Sequence, residues 1–230
     1  MPRSFFTLLL VPLFFTACSP NNVTVDNSLQ RYFDSAGVKG SFGFFDNLHG
    51  HFTIYNLSRY RDSAYQPAAT FEIIQSLIAV QTGSTASRIG KDTLKKWVDS
   101  LRYGNMDLGS DTTAFWQNNQ LKITSDEQLG LLKKLYFDQL PFYQRPQQLA
   151  RQTLQSEVTS NYKLTFKTGQ GIKEDGHAIG WFMGWVEENK HPYFFVINLE
   201  SPDPNKNLSE SGLSIAKGIL LQLGFFQGKK

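Results

Sequence analysis

The chain has 230 residues, 40% of them hydrophobic and 14% aromatic, including 19 phenylalanines. That composition excludes a disordered chain and indicates a packed globule with one sizeable core. The formal net charge of +3 comes from Lys and Arg scattered along the sequence, not gathered into the basic face that nucleic-acid binding requires.

Residues 1–18 read as a bacterial secretion signal. Arg3 supplies the basic start, and Phe5 to Phe15 is an apolar run too short to span a bilayer as a helix. The one cysteine, Cys18, follows Phe15-Thr16-Ala17, so small residues precede it at the end of the apolar run, as in a lipoprotein cleavage box. The other reading is cleavage near Ala17 beside an incidental cysteine. On the first, Cys18 is the lipidation site, and its acyl chains hold the protein at a membrane. Residues 19–28 are polar, contain Pro20, and read as a short tether, with the domain spanning residues 29–230.

Gly40 to Phe45 and His51 to Leu57 are short alternating runs around Asn47-Leu48-His49-Gly50, which predicts a β-hairpin. Thr70 to Gln81 is apolar nearly all round, a buried helix opened by Pro67 and closed at Gly83. Lys91 to Leu101 carries Leu94, Trp97, Val98 and Leu101 at helical spacing. A further helix starts at Ser125, with Asp126 and Glu127 complementing its dipole, and stops before Pro141. Pro146 to Gln155 predicts another helix. Three strands follow: Lys163 to Lys167, Ala178 to Glu187 and Tyr193 to Leu199, the last two joined by a turn over residues 188–192. An amphipathic helix from Leu208 to Leu223 closes the chain. The expected class is α+β, an antiparallel sheet flanked by helices.

Several short motifs then resemble a known family. Gly40, Phe42 and Asp46 match a G-x-F-x-x-x-D strand opening. Pro67-Ala68-Ala69-Thr70-Phe71-Glu72-Ile73 matches P-A-S-T-F-K-I at all but two letters. Tyr103-Gly104-Asn105, Trp116, Lys167-Thr168-Gly169 and Trp181-Phe182-Met183-Gly184-Trp185-Val186-Glu187 follow in the family's order. The chain is similar to the class D, oxacillinase-type serine β-lactamases of the penicillin-binding transpeptidase fold.

The resemblance implies a site with its chemistry removed. The family's serine nucleophile falls at Ala69 and its lysine general base at Glu72, so no catalytic pair is intact. Thr70 offers a hydroxyl, but one residue along a helix turns a side chain by about 100 degrees. The family's S-x-V motif should lie between Gly83 and Tyr103, where none occurs, so the helical region is shortened and one wall of the cleft is absent. By resemblance the ligand-binding positions are Lys167, Thr168, Gly169, Tyr103, Asn105 and Trp116. Lys167 either grips a substrate carboxylate or pairs with Glu72, and Trp116 either keeps a donor role or serves packing. The arginine expected before the last helix is missing, with Lys206 a poor substitute.

His49 and His51 have a metal-like spacing but lack a third ligand, so neither metal nor cofactor is expected. His177 and His191 read as turn residues, and Glu174, Asp175, Glu187 and Glu188 as solvated. The functional expectation is an inactive, penicillin-binding-type lipoprotein whose remnant cleft holds a β-lactam or peptidoglycan-like ligand weakly and non-covalently, or which presents a surface to an envelope partner. The alternative is a residual β-lactam hydrolase using water activated by Glu72. With no retention signal at Ser19, the resemblance places the chain periplasm-facing, on the outer membrane.

Overall fold

The computed structural model describes residues 22–110 and 115–230. The signal segment, Cys18 and the first residues of the tether lie outside them. Among the described residues no helix is long and apolar enough to cross a membrane.

A seven-stranded sheet organises the molecule. Its strands are β1 (Val23–Val25), β2 (Lys39–Asp46), β3 (His51–Tyr55), β6 (Gln155–Val158), β7 (Lys163–Ile172), β8 (Ala178–Glu188) and β9 (His191–Ser201). They lie in the order β1-β3-β2-β9-β8-β7-β6. Every pairing is antiparallel except the parallel β1–β3 edge. The tether reading is corrected here. Residues 23–25 pair with β3, and Asp26 caps a short 3-10 turn leading into α1 (Gln30–Ser35).

The central strands are apolar on both sides because helices cover both faces. On one face Phe42, Phe182, Phe195 and Ile197 pack against α1 and α7 (Leu208–Gln222), together with Ile215, Ile219 and Leu220. The approach is close: a Cβ added to Gly180 would lie 2.6 Å from the Leu208 Cβ. On the other face Trp181, Met183, Phe194 and Val196 meet α3 (Glu72–Thr82), α4 (Lys91–Leu101), α5 (Ser125–Tyr136) and α6 (Gln144–Gln152). The α+β expectation holds.

Local signals set the helix ends. Thr124 and Glu127 form a reciprocal capping box at the start of α5. Gly83, at φ +67°, ends α3 in the left-handed conformation. Between α3 and α4 the chain makes one 3-10 turn, Ala86–Arg88. A small second sheet pairs β4 (Ala64–Tyr65) with β5 (Ile123–Thr124), and α2 (Leu57–Asp62) links the hairpin to β4.

Other boundaries move. The helix expected at Pro146–Gln155 occupies Gln144–Gln152, and Gln155 opens the edge strand β6. Strand β7 runs on through Lys167-Thr168-Gly169 to Ile172. The β8–β9 turn tightens to Asn189 and Lys190, both at positive φ (48° and 69°), the geometry of a two-residue type I′ hairpin. Glu188 is not solvated. It is 1% exposed, and its carboxylate accepts from the backbone N–H groups of Phe226 and Lys230.

Candidate functional site

Residues Ala68–Phe71 form a 3-10 turn that runs directly into α3. The turn is held from three sides. Ala68, fully buried, sits at φ +48°, a conformation that costs a non-glycine residue about 1 kcal/mol or more, and its N–H donates to Trp116 O at 2.9 Å. The Trp181 indole donates to Gln66 O at 2.8 Å. Strand β7 presses against the turn at Gly169, where an added Cβ would lie 2.9 Å from Thr70 N and 3.0 Å from Ala69 N. Only glycine permits that approach.

The turn presents Ala69, half-buried, where a nucleophile would stand. One turn on, Glu72 Oε2 accepts from Lys167 Nζ at 2.5 Å. The expected pairing of Lys167 with Glu72 is thus present. The carboxylate is not buried, however: the Glu72 side chain is 53% exposed and Lys167 22%. Thr70 is turned away. Its hydroxyl donates to Pro67 O at 2.6 Å and accepts from Gln128 Nε2 at 3.0 Å inside the core.

The remaining motif residues divide between cleft and scaffold. Lys167 pairs in register with Met183, and Thr168 with Phe182, which pack in opposite cores. Thr168 thus leaves β7 on the face of Phe166 and Gln170, away from Ala69. The cause is the two-residue period of a strand. The Asn105 side chain is committed to its own loop. Its amide donates to Gln120 O at 2.7 Å and its oxygen accepts from Lys122 N at 3.0 Å. Tyr103 is 2% exposed, and burial pushes its hydroxyl well above the ordinary phenol range. Trp116 stacks on Phe71 with centroids 6.0 Å apart. Lys206 turns toward Gly37, and its carbonyl accepts from Gln170 Nε2.

The sequence reading missed an ion network beside β9. Arg59 donates to Asn198 Oδ1 and to Glu200 Oε2, at 2.8 Å for the latter. Lys173 Nζ and His177 Nδ1 approach Glu200 Oε1 at 2.7 and 2.9 Å. Burial alone would raise the Glu200 carboxyl, but the hydrogen bonds from Lys173, His177 and Arg59 outweigh it and bring it down to about 2. Asp175, His177 and Glu200 converge within 4.8 Å, a cation-like arrangement. Lys173 already supplies the positive charge there, 2.9 Å from Asp175 Oδ2. His177 is hence a partner of Glu200, not a bare turn residue. His49 and His51 do not converge: one meets Asp46, the other Thr24.

Fold and motif order together define a serine β-lactamase/transpeptidase-type domain. The chain belongs to the penicillin-binding protein transpeptidase domain family, whose profile matches residues 84–223. The matched stretch opens beyond the Ala69–Glu72 turn. The chain is 28% identical to β-lactamase OXA-20 of Pseudomonas aeruginosa, over 83% of this chain and 85% of that protein. It is 24% identical to the regulatory protein BlaR1 of Bacillus licheniformis, over 86% of this chain but 39% of that longer protein. Among solved structures, the class D β-lactamase YbXI from Nostoc superposes with a TM-score of 0.78 at 27% identity, covering 86% of this chain and 99% of that one. The C-terminal domain of the Bacillus licheniformis BlaR penicillin receptor shares the fold, with a TM-score of 0.82 at 24% identity over 90% of this chain and 98% of that one.

Proposed function

We propose that this chain is a catalytically silent class D-type domain, anchored through Cys18 to the outer membrane on its periplasmic side, that binds a β-lactam or peptidoglycan-like ligand without forming a covalent bond. The observation that carries the proposal is the pair of positions on one turn: Ala69 offers a methyl group, and Glu72 is engaged by Lys167. An acyl-enzyme needs a hydroxyl or thiol at that point, and Thr70 spends its hydroxyl on Pro67 and Gln128. The relatives include a penicillin receptor as well as β-lactamases, which supports a ligand of the β-lactam class.

The residual-hydrolase reading asks Glu72 to activate water unaided. A general base contributes about 10²–10⁴-fold, and the Glu72 carboxylate is already engaged by the Lys167 ammonium. Purified protein with a chromogenic cephalosporin is expected to match a heat-killed control, and a fluorescent penicillin to leave no band on a denaturing gel. Turnover, or a covalent band, overturns the silent reading. A rise in melting temperature with a saturating penicillin marks binding; its absence removes the ligand and leaves a surface presented to an envelope partner. For the anchor, metabolic labelling with an alkyne fatty acid is expected to mark the full chain and to vanish in Cys18→Ser.

A further inference from the structure

A cavity of about 520 Å³ has none of Ala69, Glu72 and Lys167 in its lining. It opens between the end of α5, α6 and strands β6–β8, and its size suits a small organic molecule. Thr165 and Trp185, directly opposite each other on β7 and β8, form its floor. Each is 3% exposed. The Thr165 hydroxyl and the Trp185 indole N–H have no hydrogen-bond partner among the described residues. A buried donor left unpaired costs about 1–3 kcal/mol, so two side by side at the base of one cavity call for a shared acceptor.

The rim tells which acceptor. Arg151 and Lys163 line it with cationic groups: Arg151 gives Nη1 to Asp138 and to the Leu135 carbonyl and keeps its other guanidinium N–H groups, and Glu187 is the carboxylate among the lining residues. Glu187 is already engaged: it accepts from the Tyr136 hydroxyl at 2.8 Å and lies 3.9 Å from Lys163 Nζ. The indole can only donate. Donors therefore outnumber uncommitted acceptors, and a neutral donor-rich ligand would leave the floor unsatisfied. We propose that this cavity is a second, non-covalent site for a small organic carboxylate. One carboxylate oxygen is taken by the Trp185 indole and the Thr165 hydroxyl, and the charge is met by Arg151 and Lys163. The site is independent of the Ala69 turn, so it stands or falls apart from the function proposed above.

The test follows the indole N–H signals of the ¹⁵N-labelled protein, with the Trp185 signal identified by its loss in Trp185→Phe. The probes are N-acetylglycine and its neutral amide, N-acetylglycinamide. The Trp185 signal is expected to move saturably with the carboxylate at millimolar concentration and to stay still with the amide. Lys163→Gln, at a half-exposed position, is expected to weaken binding about fivefold. Thr165→Val keeps the side-chain shape and is expected to weaken it similarly, a change that a purely structural threonine would not produce. No saturable shift into tens of millimolar, or an equal response to the amide, would mean that the floor is merely hydrated and would overturn the proposal.

Discussion

Lys167 Nζ lies 2.5 Å from Glu72 Oε2, so the cation of the K-T-G strand is neutralised by the residue standing where a catalytic lysine would be. Glutamate at position 72 thus puts a carboxylate where the family carries lysine, and that carboxylate engages the lysine of the K-T-G strand. Because the Glu72 side chain is 53% exposed, the pair adds little to folding. Glu72→Gln is expected to change unfolding free energy by less than about 1 kcal/mol in urea titration. A larger loss would mean that the ion pair holds the turn to β7.

Restoring the motif letters is not expected to restore the reaction. In Ala69→Ser with Glu72→Lys, the new ammonium would face Lys167 instead of pairing with it. The segment between α3 and α4 still contributes only a short turn where the S-x-V wall would stand. Cephalosporin turnover in the double variant is expected to stay within about tenfold of background, well short of what even one working general base supplies.

Gly169 is expected to be intolerant of any side chain. A Cβ there would lie 3.0 Å or less from two backbone nitrogens of the turn, which a flexible neighbour cannot relieve. Gly169→Ala is expected to cost about 1–3 kcal/mol of stability by overpacking, measured by chemical denaturation. An unaffected midpoint would show that β7 and the turn can part.

The Glu200 network predicts an acid-labile fold. The folded carboxyl sits at about 2 against an ordinary 4.5, so its contribution is full above the ordinary value and lost as pH falls toward 2. Melting temperature is therefore expected to fall between those limits. In Arg59→Leu the fall should be shallower, because one of the groups holding the carboxyl down is gone. An unchanged slope would place the acid sensitivity elsewhere.

Lys190 adopts φ +69° at the second position of the β8–β9 turn. Lys190→Gly is expected to stabilise the protein by up to about 1 kcal/mol, since glycine takes that conformation without steric cost. Thermal denaturation checks the sign.

Much of this architecture is readable from the sequence because its signals are local. The spacing of Leu129, Leu132 and Leu135 identifies α5, and the continuous apolar runs of β8 and β9 announce strands buried on both faces. Strand β6 gives no such signal. Gln155-Ser156-Glu157-Val158 has one apolar residue, itself 69% exposed, and becomes a strand only by pairing with β7. The burial of Glu188 is equally invisible, since its donor at Phe226 arrives from 38 residues away. The site divides the same way. Ala69 and Glu72 are legible as letters out of place, whereas the opposite facing of Lys167 and Thr168 follows from the K-T-G triplet lying inside a continuous strand. The cavity floored by Thr165 and Trp185 has no motif at all; it exists because α6 and the edge of the sheet stand apart.

The left-handed backbone at Ala68 owes nothing to the side chain that follows it. Its restraints come from the Trp116 carbonyl and the neighbouring strand, so the turn presents position 69 whichever residue stands there. That makes position 69 an addressable point. In a sequence whose one cysteine is Cys18, the proposed lipidation site, Ala69→Cys would display a single free thiol from a fixed geometry on the domain, ready to carry a spin label or fluorophore into the mouth of the cleft.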